Sequence, residues 1–210
     1  MKNNLIKLCT LVLLSASILS CKKDYDPGLG PVEDSKAEIP VTVTNAQFFE
    51  RYPVVTTSVA GGGNITITLA IPADKGIIKQ ITKVATSTPT SLNFGNLNST
   101  NASTALNSSV PMGTTTRVVQ PIMGNGTNTI TFTTKLDDYL AYRIRVGVSA
   151  GVAGPQVGPP AMPGGPPTGP VTMPTPSTTA TPTDIGYYFR LELADGSTIT
   201  PMPVRVRILP

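Results

Sequence analysis

The residues best equipped for chemistry in this chain are five arginines. Arg143 and Arg145, Arg190, and Arg205 and Arg207 fall on the polar phase of three alternating runs. Strands sharing one sheet would turn all five guanidinium groups to one side, with only Glu192 against them. A guanidinium holds carboxylate or phosphate through two parallel hydrogen bonds. Such a stripe suits an anionic glycan, a lipopolysaccharide phosphate or an acidic partner; the competing reading is an ordinary wet face of mixed charge.

Catalytic patterns are sparse. Gly147-Val148-Ser149-Ala150-Gly151 matches G-x-S-x-G, but that elbow needs a strand-to-helix turn and a histidine. A Pro/Gly run follows it, and the chain has no histidine, the usual general base and commonest metal ligand. Asp137-Asp138 stands without a second acidic cluster at calcium-loop spacing and reads as a solvated turn before a strand at Tyr139. The Asn-x-Ser/Thr sequons at Asn64, Asn98, Asn101, Asn107 and Asn125 read as compositional in a chain rich in Asn, Ser and Thr. No cofactor and no metal are implied, and the chain is expected not to be an enzyme.

The amino terminus has the layout of an export signal: Lys2 and Lys7, an apolar run from Leu8 to Leu14, then Ile18-Leu19-Ser20-Cys21. The apolar run is far shorter than the roughly 20 residues that a spanning helix needs. The segment resembles a bacterial lipobox, and with Cys21-Lys22-Lys23-Asp24 the start is similar to that of Bacteroidetes outer-membrane lipoproteins. The resemblance implies a signal peptide over 1–20, lipid on Cys21, outer-membrane attachment and a surface facing the cell exterior. Cys9 would leave with the signal and Cys21 be consumed by lipid, so no thiol remains for a disulfide, a zinc site or a nucleophile. Without Lys2 and Lys7 the chain keeps 14 basic residues against 12 acidic ones, too even a balance for nucleic acid.

Residues 21–40 are polar and rich in Gly and Pro, as in a flexible tether, with a coil reach of roughly 25 Å. Beyond them the hydrophobic period is two. Val41 and Val43, Ile65 to Ile71, Ile130 and Phe132, Tyr142 to Val148, Tyr187 to Leu193, and Val204 to Ile208 each alternate with polar or small residues, the pattern of half-buried strands. Turn residues Gly61-Gly62-Gly63-Asn64 and Gly124-Asn125-Gly126 separate some of them. Ile77, Ile81 and Val84 fall at helical spacing within residues that also favour strands, and 77–85 is read as a seventh strand with a helix as the alternative. Residues 91–109 read as a long Ser/Asn/Thr loop, and 153–183 as a disordered Pro/Gly-rich insertion between two strands.

Setting aside 1–40 and 153–183 leaves 139 of the 210 residues, enough for one sandwich. Tyr187 to Ser197 followed by Val204 to Ile208 resembles the final two strands of bacterial immunoglobulin-like domains, with Asp195-Gly196 as the turn. Pro201 and Pro203 lack ladder donors and suit the start of an edge-type last strand. The expected fold is all-β, a single antiparallel immunoglobulin-like sandwich of about seven strands over 41–210. The expected role is a non-catalytic, membrane-anchored interaction or structural module whose partner is an outer-membrane protein or an anionic glycan. The alternative is a glycan-binding accessory similar to the lipoproteins of starch-utilisation-type uptake systems. No tryptophan is present for a sugar platform, but Tyr142, Tyr187 and Tyr188 are candidates for one.

Overall fold

The computed structural model describes residues 39–87, 94–146, 173–178 and 181–210. The signal segment, Cys21, the tether up to residue 38, the G-x-S-x-G motif at 147–151 and the insertion from 153 to 172 lie outside them. The described chain is β-rich. Its strands are β1 (Thr42–Val43), β2 (Phe48–Glu50), β3 (Tyr52–Ser58), β4 (Asn64–Ala70), β5 (Ile78–Ser87), β6 (Ser108–Ser109), β7 (Val118–Val119), β8 (Ile122–Met123), β9 (Thr129–Lys135), β10 (Asp184–Leu193), β11 (Thr198–Ile199) and β12 (Val204–Leu209). Two α-helices, α1 (Phe94–Asn98) and α2 (Leu136–Val146), and short 3-10 turns at Ala73–Lys75 and Ala102–Thr104 stand between strands.

Strands β1, β4 and β9 form a small antiparallel sheet, and a larger one runs β2-β3-β12-β10-β5-β8 with β11 beside β10. A separate two-stranded ladder joins β6 and β7. The large sheet is mixed, which corrects the wholly antiparallel expectation: β3 and β12 run parallel, with Val55 opposite Val206. Parallel neighbours need a long connection, and nearly the whole chain between them supplies it. β12 therefore lies inside the sheet between β3 and β10, not at its edge. Pro201 and Pro203 are tolerated because both precede the first paired residue, Val204.

The two sheets share one core. Ile65, Ile67, Leu69, Ile130 and Phe132 of the small sheet join Val55, Ile81, Val84, Tyr187, Phe189, Leu191, Val204, Val206 and Ile208 of the large one in a single buried cluster. The Phe132 ring meets Phe189 edge-on, with centroids 5.5 Å apart, and lies 6.0 Å from Tyr187. Edge-to-face pairs of this kind add to the stabilisation from burial. The alternation in β4, β9 and β12 places these residues inward, as their period-two pattern requires.

Residues 77–85 form a strand. Their helical spacing arises from two irregularities in the β10–β5 ladder. Arg190 pairs with Lys83 and Leu191 with Ile81, while Glu192 pairs with Gln80 and Leu193 with Ile78. Thr82 and Lys79 are thus skipped, and each skipped residue flips the strand's phase. Ile78, Ile81 and Val84 all reach the core at intervals of three.

Over its described residues, Tyr142 to Val146, the run that begins at Tyr142 is helical and not the expected strand; Gly147 and Val148 lie outside the described residues. Leu136–Val146 is α2, which buries Leu136, Tyr139 and Tyr142 at helical spacing. Asp137 and Asp138 occupy its first turn and Arg143 and Arg145 its last, complementing the helix dipole at both ends. The Asp138 carboxylate accepts hydrogen bonds from the Lys135 amide and the Thr134 hydroxyl, each at 3.0 Å. The acidic pair is a helix start, not a turn before a strand.

The expected loop at 91–109 contains α1, the 3-10 turn and β6. Its Leu97 forms a second buried cluster with Ala85 and Tyr188, and Phe94 meets Tyr188 edge-on at 5.2 Å. This segment lies on the outer side of the large sheet, so Tyr188 is buried although the alternation places it on the wet face. The carboxyl end of the proposed insertion is also ordered: Met173 packs against the core, the Ser177 amide donates to the Ile208 carbonyl, and the Ile208 amide to that of Thr183. Close approach fixes Gly124, where a Cβ would lie 2.2 Å from the Ile78 carbonyl oxygen.

Tyr187 is fully buried, and its hydroxyl has no hydrogen-bond partner among the described residues. Burial, with Tyr139 and Asp138 nearby, raises its pKa. An orphaned buried hydroxyl carries its full desolvation cost. Tyr187→Phe is therefore expected to be neutral or to stabilise the domain by about 1 kcal/mol, whereas Phe132→Ala should cost roughly 3–5 kcal/mol. Denaturant titration of both variants checks this, and a substantial loss in Tyr187→Phe would reveal a partner for the hydroxyl.

Candidate functional site

The structure divides the five arginines between the large sheet and a helix. Arg190, Arg205 and Arg207 lie on the outer face of the large sheet, in the phase expected of them, while Arg143 and Arg145 belong to α2. A five-guanidinium stripe on one sheet therefore does not form. The alternation from Tyr142 to Val146 that placed two of its members is a coincidence within a helix.

Arg207 sits between two carboxylates. Its Nε and Nη2 donate to Asp184 at 2.9 and 3.2 Å, and its Nη1 and Nη2 to Glu50 at 3.0 and 2.8 Å. Antiparallel pairing puts Asp184 directly opposite Arg207, and the β2–β3 hairpin brings Glu50 from the other side. Asp184 is only 5% exposed, so it needs this partner: a buried charge is costly unless paired. The arginine lowers the Glu50 pKa, and the two carboxylates raise that of Arg207. Arg205 lies 3.8 Å from Asp184 and stacks on Tyr52, 5.0 Å from the ring centroid, where Arg51 also approaches at 5.7 Å. Arg51 turns the hairpin with φ +63°, a left-handed conformation uncommon outside glycine. Sequence reasoning named Arg205 and Arg207 but missed their partners: Glu50 and Tyr52 adjoin Pro53 and the adjacent pair Val54-Val55, where no alternation marks a strand.

A second polar group lies under the α1 segment. Lys83, 5% exposed, donates to the Ser99 carbonyl and to the Thr104 hydroxyl at 2.9 Å. Burial, and then the charge of Arg190, lower its pKa. Arg190 is opposite Lys83 in the ladder and donates to Asn98 Oδ1 at 2.8 Å. The Tyr142 hydroxyl accepts from Asn96 at 3.0 Å and donates to the Thr104 carbonyl at 3.2 Å. Arg145 donates to the carbonyls of Ser103 at 2.9 Å and Ala105 at 2.8 Å, and lies over the Tyr142 ring. Burial raises the Tyr139 pKa, against which the nearby Arg143 acts. Glu192 is held by Lys79 and Gln80. Asn107, one of the sequon residues, accepts from the Val84 amide and donates to the Gln120 carbonyl, so its side chain serves the fold.

An open cleft of about 400 Å³ separates β9 from the segment carrying β6, with Asn107, Ser108, Gln120, Thr133, Asp138 and Arg145 among its lining. Its amides and hydroxyls can meet a polar ligand. The three tyrosines proposed as sugar platforms cannot serve, because Tyr142, Tyr187 and Tyr188 are all buried. Among the described residues no group of three or more Cys, Asp or Glu is placed to hold a metal ion. Comparison with protein-family models, with curated proteins and with solved structures found no match for the chain.

These arginines hold the domain together, and neutralising them should cost stability. Arg207→Ala, which strands the Asp184 carboxylate, is expected to lose on the order of 3 kcal/mol, and Glu50→Ala far less because Glu50 is solvated. Equal losses in denaturant titration would mean that Asp184 does not depend on the arginine. Lys83 gives a test by pH. Its folded pKa lies below the ordinary lysine value near 10.4, so in the window between the two the unfolded chain binds more protons and stability rises with pH. Relative to Lys83→Met, the parent should gain stability as pH climbs towards 10. A flat difference would mean the ammonium is not desolvated.

Proposed function

We propose that the chain is a lipid-anchored outer-membrane lipoprotein, facing the cell exterior, whose immunoglobulin-like domain is a non-catalytic interaction or structural module. The observation that carries the reading is Ile18-Leu19-Ser20-Cys21 after a short basic and apolar run. A signal that ends on cysteine exposes a thiol for acylation, and two or more acyl chains hold a protein at a membrane far longer than one. No helix among the described residues is long and apolar enough to cross a membrane.

The strand orders support an immunoglobulin-like sandwich. In that fold the first, second and fifth strands are neighbours in one sheet, and the last two lie beside the third in the other. Here β1-β4-β9 matches the first arrangement, and β12-β10-β5 the second. A module role is supported by the arginines and carboxylates of the outer face, which are engaged with one another, with Asn98 and with the Tyr52 ring. A glycan-binding accessory is a second reading, favoured by the amide and hydroxyl lining of the cleft beside β9. A reproducible hit on a glycan array, lost in Gln120→Ala, would select it.

The anchor is tested directly. Cys21→Ala should give a precursor that takes up no label from a fatty-acid analogue and is lost from the membrane fraction, with the parent labelled and retained. Persistent labelling of the variant would sink the reading.

A further inference from the structure

The described chain enters the domain beside an apolar groove. Ile39, Val41 and Val43 pack against the core. Val41 and Val43 then line a cavity of about 210 Å³ with Phe49, Pro53, Leu69 and Met202. Two of its lining side chains stand open, Phe49 at 70% exposed and Met202 at 50%, and the neighbouring Phe48, outside the lining, is also 50% exposed. Pairing of Phe49 with Pro53 and of Phe48 with Val54 puts the two rings on opposite faces of the β2–β3 hairpin. Residue β2 ends the large sheet, and the hairpin projects its rings with Arg51 at the tip.

The groove, the hairpin tip and the chain entry lie at one pole. Thr42 pairs with Ala70 at the far end of β4, whereas the other end of β4 adjoins the 59–63 turn, where the Gly63 amide donates to the Ser58 carbonyl. β3 runs from the hairpin tip at Tyr52 to that same turn. Three guanidinium groups, of Arg51, Arg205 and Arg207, face two carboxylates, of Glu50 and Asp184, leaving this corner one net positive charge. Contiguous exposed apolar groups with a basic rim mark contact surfaces, and aromatic rings beside cations suit the interfacial layer of a bilayer.

We propose that this pole is a membrane-contact surface, with Phe48, Phe49 and Met202 entering the interfacial layer of the leaflet that holds the lipid of Cys21, and Arg51 among its headgroups. The inference rests on the reading that Cys21 is lipidated. Nineteen residues lie between Cys21 and Val41, so even a fully extended link holds this pole within roughly 70 Å of the anchor. It is the part of the domain nearest to the lipid along the chain, and its net charge favours an anionic surface. Lipid also covers both faces of the hairpin at once, as the opposed rings require.

The chain contains no tryptophan, so single reporters can be placed in the full-length lipidated protein on vesicles of phosphatidylethanolamine and phosphatidylglycerol. Phe49→Trp, with Phe48→Trp as a second reporter should the first not fold, is expected to emit at shorter wavelength on vesicles than in detergent-free buffer. Brominated acyl chains should quench most of that emission. Val59→Trp, exposed at the opposite pole, should show neither effect. Protein that floats with vesicles while Phe49→Trp stays unquenched overturns the contact surface and leaves the anchor standing. Emission shifted but unquenched would mean that a second copy or another protein covers the rings, which also overturns it. Protein that does not float at all defeats the anchor reading, and this inference with it.

Discussion

The contact of Phe132 with Tyr187 and Phe189 makes one domain of two sheets. Neither sheet is stable alone, because each has an apolar face that must be covered. The small sheet has only three strands, and its central β4 carries Ile65, Ile67 and Leu69 inward. The large sheet answers with β10, whose two faces are both buried along most of its length. The inner rings of β10 fix the spacing of the sheets, and the register of every neighbour follows from it. The two bulges in β5 are one consequence: without them, Ile78 and Ile81 could not both reach the core that β10 defines.

The outer side of β10 sets a second constraint. At one end the α1 segment covers Tyr188 and Ala85, so Lys83 and Arg190 lie beside an apolar cap and must find carbonyl and amide partners there. At the other end the buried carboxylate of Asp184 is matched by Arg207, whose guanidinium also holds Glu50. Both are answers to the cost of desolvating charge. Most of the basic residues that look available for an anionic ligand are thereby engaged in the fold. The polar cleft beside β9 and the apolar pole around Phe49 are the surfaces with lining groups still open to solvent, and they differ in chemistry: one presents amides and hydroxyls, the other rings and a thioether.

Strand position and phase were legible in the chain wherever the alternation was long and one-sided. β4, β9, β10 and β12 lie where their period-two patterns put them, with the turns at 61–64 and 195–196 between or beside them, because side chains on a pleat must alternate and a buried face tolerates no slip. The lipobox-like pattern that ends at Cys21 and the absence of histidine are likewise properties of the sequence, independent of folding. The Arg190, Arg205 and Arg207 phase was readable for the same reason.

What the tertiary structure decided is where two periods competed or where a neighbour altered exposure. Tyr142 to Val148 alternates as a strand should, but Leu136, Tyr139 and Tyr142 repeat at helical spacing, and the core beside β9 had room for one helical stripe, so α2 formed. Residues 77–85 looked half helical because bulges, which exist only relative to a partner strand, changed their phase. The burial of Tyr188, the ordering of Met173, the pairing of Glu50 with Arg207 and the parallel neighbour of β12 all join residues far apart in the chain. Local pattern carries no record of such contacts, since it reports which face of an element is apolar and not what will be laid against the other face.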